Sequence, residues 1–204
     1  MKLPAGLIAL GGLALCSLLP AQVPTAQVPH QHGVATLDVR VDDDRLEIRL
    51  RAPLDSLAGQ ERPPRTEKQR QAVRSMAATL HGPETLFVPT AAAGCSAGPM
   101  MLRSDVLAPA LLLAPGATAA ADGGTAGSGT AGGGAVAGAR QAAPAHADLE
   151  AQVSFRCARP QALNGLQVRL FDAFPALREI VVAIGTPRGD SGVRLSPSRT
   201  SLTW

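Results

Sequence analysis

The chain is poor in aromatic residues: it has no tyrosine and one tryptophan, and aromatics make up 2% of its 204 residues. Proteins that bind nucleic acid through a basic face stack bases on aromatic platforms set beside clustered cations. Here Arg40, Arg49, Arg51, Arg62, Arg65, Arg103, Arg156 and Arg169 are scattered, and on strand-like segments they alternate with acids. That class of function is therefore excluded. After the first twenty residues no apolar run is long enough to span a membrane, and the short patch around Leu112 is bracketed by Pro109 and Pro115. The glycine-rich stretch lacks the Gly-Lys-Ser/Thr ending of a phosphate-binding loop. No internal repeat is visible.

Cysteine is also scarce, and its placement is informative. Of three copies, Cys16 lies in an N-terminal segment with the order of a secretory signal: Lys2, an apolar run from Ala5 to Leu19 of about 15 residues, then Pro20-Ala21-Gln22. Cleavage is expected after Ala21, with Ala26 as the second choice. A lipoprotein reading of Cys16 is disfavoured by the bulk of Leu15, and an uncleaved anchor is the remaining alternative. The formal charge of +3 falls to about +2 without Lys2. Cys95 and Cys157 then remain as an even pair. In an oxidising compartment such a pair reads as a disulfide, with a two-cysteine metal site as the alternative. A disulfide would close 157 − 95 = 62 residue steps, worth roughly 4 kcal/mol in the chain-entropy model.

The mature part, beginning with a mobile lead over residues 22–33, reads as one α+β, β-rich domain in two halves, 34–107 and 146–204. Ala35, Leu37, Val39 and Val41 alternate with Thr36, Asp38 and Arg40. After Asp42-Asp43-Asp44, Leu46, Ile48 and Leu50 alternate with Glu47, Arg49 and Arg51. This predicts a hairpin with one wet face, on which Asp38 and Arg49 can pair. Thr66 and Gln69 form a capping-box signal for a helix over 67–80, with Val73, Met76, Ala77 and Leu80 on its inner face and His81-Gly82-Pro83 as its stop. Leu86 to Pro89 and Met100 to Val106 are weaker strand candidates. Residues 149–157 and 166–170 alternate again. Ile180 to Ile184 is a continuous apolar run, read as a strand covered on both faces. Val193–Leu195 and Leu202–Trp204 are expected as closing edge strands. An antiparallel sheet with one packed helix follows. Residues 108–145, nearly all Ala and Gly, bury too little apolar area to offset their ordering entropy and are expected to form a disordered loop.

Two motifs carry candidate chemistry. Gly189-Asp190-Ser191-Gly192 matches the nucleophile tetrapeptide of trypsin-like proteases. However, it has no Ala-Ala-His-Cys-like segment upstream and too little chain behind it for the barrel, and Gly, Asp and Ser equally suit a turn. A hydrolase is the lowest-ranked reading. His30-Gln31-His32 sets two imidazoles on one side of an extended segment, about 7 Å apart. His146, Asp148 and Glu150 offer a nitrogen and carboxylates at the start of a strand. Such ligands suit tetrahedral Zn²⁺, although solvated histidines are the ordinary alternative. His81 reads as a helix C-cap interacting with the dipole.

These residues fall in blocks. His30-Gln31-His32-Gly33-Val34-Ala35-Thr36-Leu37-Asp38-Val39 is followed by Ala52-Pro53-Leu54-Asp55-Ser56-Leu57-Ala58-Gly59-Gln60-Glu61 and Pro64-Arg65-Thr66. Then come Ala93-Gly94-Cys95, His146-Ala147-Asp148-Leu149-Glu150, Phe155-Arg156-Cys157 and Leu170-Phe171-Asp172-Ala173-Phe174-Pro175. In this order they resemble the ZrgA-like family of periplasmic proteins linked to zinc uptake. The resemblance implies an exported, non-enzymatic zinc-binding protein that assists a zinc ABC transporter or its periplasmic binding protein. It implies His30, His32 and His146 as ligands of Zn²⁺, Asp148 and Glu150 as helpers, and Cys95 and Cys157 as the family's paired cysteines. Two departures stand out. The His/Asp/Glu-rich tract that typical members carry in the central loop is replaced by Ala and Gly. Arg62 also stands where many members have histidine. At most one zinc site is therefore expected, and an interaction module that has lost metal binding is the alternative.

Overall fold

A computed structural model describes residues 31–117 and 147–204. The signal segment, His30, His146 and most of the Ala/Gly stretch lie outside them. In chain order the elements are strands β1 (Val34–Asp42) and β2 (Arg45–Pro53), helices α1 (Leu54–Ala58), α2 (Glu67–Leu80) and α3 (Pro83–Leu86), and strands β3 (Phe87–Pro89), β4 (Cys95–Ala97) and β5 (Met101–Arg103). After the Ala/Gly stretch come β6 (Asp148–Cys157), β7 (Gly165–Val168), α4 (Leu170–Ala173), β8 (Glu179–Thr186), β9 (Gly189–Leu195) and β10 (Ser201–Thr203).

The larger sheet has the order β4-β6-β2-β1-β8-β9, with β5 also on β6, and the smaller has the order β10-β7-β3. The β1–β2 hairpin forms as the alternation predicts, with Asp38 opposite Arg49. The sheet is mixed rather than purely antiparallel, because β1 runs parallel to β8. Period-two alternation tells which face a residue occupies and carries no information about the direction of a partner strand. One hydrophobic cluster joins Leu37, Val39, Leu46, Ile48, Val153 and Phe155 of the sheet to Val73, Met76 and Leu80 of α2 and Phe87, Leu166 and Val168 of the smaller sheet.

Helix α2 starts with a complete capping box. The Thr66 hydroxyl accepts from the Gln69 N–H, and the Gln69 side chain accepts from the Thr66 N–H at 3.0 Å. Its buried residues are Val73, Met76, Ala77 and Leu80. His81 caps its C-terminus through the backbone, while the ring Nε2 lies 2.8 Å from the Leu112 carbonyl.

Four expectations are corrected. Strand β8 is covered on one face only: Ile180, Val182 and Ile184 are buried, whereas Ala183 is exposed and Val181 half-exposed. Residue 170 begins a short helix instead of ending a strand. The first part of the Ala/Gly stretch is folded, with a 3₁₀ turn over Pro109–Leu111 and Leu112 buried in the core. The end of the N-terminal lead is tied down as well. Gln31 to Val34 form a turn closed by a 3.0 Å hydrogen bond from Val34 N–H to the Gln31 carbonyl.

Cys95 and Cys157 form a disulfide and face each other across the β4–β6 ladder. Just beyond it, Ala158 and Arg159 donate to Gly94 and Ala93. The chain on either side of the Ala/Gly stretch is thus held by both covalent and backbone bonds.

Candidate metal centre

The site is built on the turn before β1 and the helix after β2. In the turn, His32 and Gly33 occupy the two central positions. Gly33 has φ +79°, and His32 does not have positive φ, which is the type II pattern that calls for glycine third. An added Cβ on Gly33 would come within 2.6 Å of Arg178 Nε and 3.0 Å of the Ala176 carbonyl. Arg178 is drawn in because its guanidinium donates to the His32 carbonyl at 2.6 Å and its N–H to the Gly33 carbonyl at 2.8 Å. The turn is therefore docked on the start of β8, and His32 projects from a fixed backbone.

Helix α1 buries Leu54, Ser56 and Leu57, which leaves Asp55 at the rim. Gly59, at φ +69°, ends the helix in the left-handed conformation, the usual C-terminal reversal. The chain then brings Glu61 back over His32. The ring Nδ1 is hydrogen-bonded to Asp55 Oδ2, and Nε2 lies 3.4 Å from Glu61 Oε1. One ligand atom from each of His32, Asp55 and Glu61 lies within 4.8 Å of the other two. Among the described residues this is the cluster of three or more potential ligands that a metal ion could occupy.

The distances separate two roles. Bonds of about 2.0–2.2 Å at tetrahedral angles place two ligand atoms about 3.3–3.5 Å apart. The Nε2–Glu61 spacing meets that. The contact at Nδ1 is a hydrogen bond, the arrangement in which a carboxylate orients a histidine and leaves its other nitrogen for the metal. Asp55 is held in turn. Its Oδ1 accepts from the Ser56 hydroxyl at 3.1 Å, and Ser56 accepts from the Gly33 N–H at 2.9 Å. Ser56, 4% exposed, is the one buried polar residue among those described.

The electrostatics agree with this arrangement. The Asp55 hydrogen bond is the largest influence raising the His32 pKa above 6.5, followed by the Asp55 and Glu61 charges, with Arg178 opposing. His32 and Glu61 are 68% and 62% exposed and Asp55 24%, so an ion can reach the ligand nitrogen from solvent while the orienting carboxylate is sheltered.

Of the other residues singled out from sequence, those that are described do not belong to this cluster. His32 lies in a turn, so the extended His-x-His geometry does not hold at its second member. His30 and His146 are outside the described residues. Asp148 is half-buried opposite Pro53 in the β2–β6 ladder. Glu150 is ion-paired with Arg51, its cross-strand partner. Asp55 and Glu61 were not singled out as ligands. They lie 23 and 29 positions beyond His32, and only their place in the block closed by Gly59-Gln60-Glu61 hinted at them.

No helix among the described residues is long and apolar enough to cross a membrane. The family model described as ZrgA family zinc uptake protein matches residues 29–204. No curated protein matches the chain.

Proposed function

Because the chain belongs to the ZrgA family of zinc uptake proteins, we propose that the turn-and-helix cluster is its zinc-holding site. In this reading the protein acts in the periplasm as a non-catalytic accessory in zinc acquisition. The observation that carries the reading is the spacing of His32 Nε2 and Glu61, 3.4 Å apart, with Asp55 holding the opposite ring nitrogen. Zinc is the cargo. His32 and Glu61 supply two ligands, and a tetrahedral ion takes two more from side chains or water. His30 and His146 are assigned to those positions, and Asp148 is kept as a helper. Glu150 is left out because Arg51 occupies it. Export by the N-terminal signal, and delivery to a zinc ABC transporter or its binding protein, complete the assignment.

The alternative, an interaction module without metal, is favoured by the Arg51–Glu150 pair and by Arg62 beside Glu61. Calorimetric titration of chelator-stripped mature protein with zinc separates the two. One zinc per chain, lost in both His32→Ala and Glu61→Gln, is expected. His30→Ala and His146→Ala then report the remaining ligands. No heat of binding in the wild type would remove the zinc reading and leave the interaction module.

A further inference from the structure

Among the described residues, strand β9 is an open edge of the larger sheet. It pairs with β8 on one side, and among the described residues no backbone hydrogen bond reaches its other side. Gly189 to Gly192 and Arg194 are exposed, and only Leu195 is buried. Neither lysine nor proline interrupts the strand, although these are the usual means of blunting an edge.

The hairpin determines which groups face outward. The two-residue turn Pro187-Arg188 closes on Thr186 and Gly189, the hydrogen-bonded ends of the turn. Hydrogen-bonded and non-bonded pairs alternate from there. Gly189, Ser191, Val193 and Leu195 therefore commit their backbone groups to β8. Asp190, Gly192 and Arg194 direct theirs outward.

We propose that β9 docks antiparallel on β9 of a second copy of this chain, across a two-fold axis at Gly192. In that register Asp190 faces the partner's Arg194, Gly192 faces the partner's Gly192, and Arg194 faces the partner's Asp190. The three residues with free backbone groups all find mates, because bonded pairs recur at every second residue. Asp190 and Arg194 share one face of the strand, so two opposite-charge pairs flank an axis where no side chain stands in the way. Other registers are poorer. An axis at Ser191 or Val193 leaves only two mated pairs and sets each remaining charge against glycine. An axis at Asp190 or Arg194 brings like charges face to face, which is unfavourable. Arg194 already pairs with Glu179 in its own chain, and the partner's Asp190 adds a second carboxylate. The contact is isologous and closes as a dimer.

Sedimentation equilibrium of the mature protein, in chelator and at concentrations up to about 1 mM, tests this. A dimer is expected without any metal. Asp190→Arg sets two like-charge pairs at the axis and is expected to weaken association at least tenfold. The double swap of Asp190→Arg with Arg194→Asp is expected to restore it. Gly192→Pro removes an outward N–H and leaves the β8 ladder intact, so circular dichroism should be unchanged while the dimer is lost. A monomer at every concentration would overturn the proposal, as would a dimer indifferent to both Asp190→Arg and Gly192→Pro. Association that appears only with zinc would also overturn it.

Discussion

Replacing Gly33 by alanine attacks the turn that positions His32 in the proposed metal centre. The cost has two sources. Positive φ with a Cβ costs about 1–2 kcal/mol. The Cβ also meets Arg178 Nε at 2.6 Å, so the guanidinium must retreat from the His32 carbonyl, and losing that hydrogen bond costs about 1 kcal/mol. Together these give about 2–3 kcal/mol. Gly59→Ala is the internal control: its φ is +69° and nothing lies within 4 Å of an added Cβ, so it should cost only the conformational part, about 1–2 kcal/mol. Urea unfolding gives both numbers. The same Gly33→Ala protein should bind zinc at least tenfold more weakly, because the turn that aims His32 has moved. Equal destabilisation by the two substitutions, or unchanged zinc affinity in Gly33→Ala, would refute the claim that this docked turn positions the ligand.

Other expectations follow from single contacts. The hydrogen bond and charge of Asp55 hold the His32 pKa above its usual 6.5, so the charge pairing of the two stabilises the fold fully below pH 6.5 and is lost as pH rises through the raised pKa. Proton-detected titration of the ring should show the raised midpoint and its return toward 6.5 in Asp55→Asn, and a wild-type midpoint at or below 6.5 would contradict the geometry. Zinc must displace the Nε2 proton of the imidazolium, so affinity should climb as pH rises through that midpoint. Ser56→Ala, which releases Asp55 without touching the ring, should weaken zinc binding about tenfold; isothermal titration checks it. Reducing Cys95–Cys157 should cost about 4 kcal/mol, read from urea midpoints with and without reductant. Thr66→Ala removes the α2 cap and should cost about 1 kcal/mol in the same assay.

The elements legible from sequence are those whose signals are local. The capping box fixes the start of α2 because Thr66 and Gln69 bond each other's backbone within one turn. The β1–β2 hairpin and β6 show themselves through strict alternation of buried and exposed residues. The β1–β8 pairing was hidden, since it joins residues some 145 positions apart and alternation is silent about partners. Strand β8 misled because small apolar residues such as Ala183 are tolerated on a wet face, where they cost little. At the candidate metal centre, His32 stood out in the sequence by its type and spacing. Asp55 and Glu61 were not, because their approach depends on a helix of five residues ended by Gly59 and on a turn docked by Arg178. Glu150 had the right chemistry at a plausible spacing, and its cross-strand neighbour Arg51 claimed it.

The most direct test of the proposed zinc centre is anomalous diffraction at the zinc edge from crystals of the zinc-soaked mature protein. The ion is expected about 2.0–2.2 Å from His32 Nε2 and from a Glu61 oxygen, with Asp55 still bonded to Nδ1. An ion seated elsewhere, with His32 and Glu61 unliganded, would contradict the assignment.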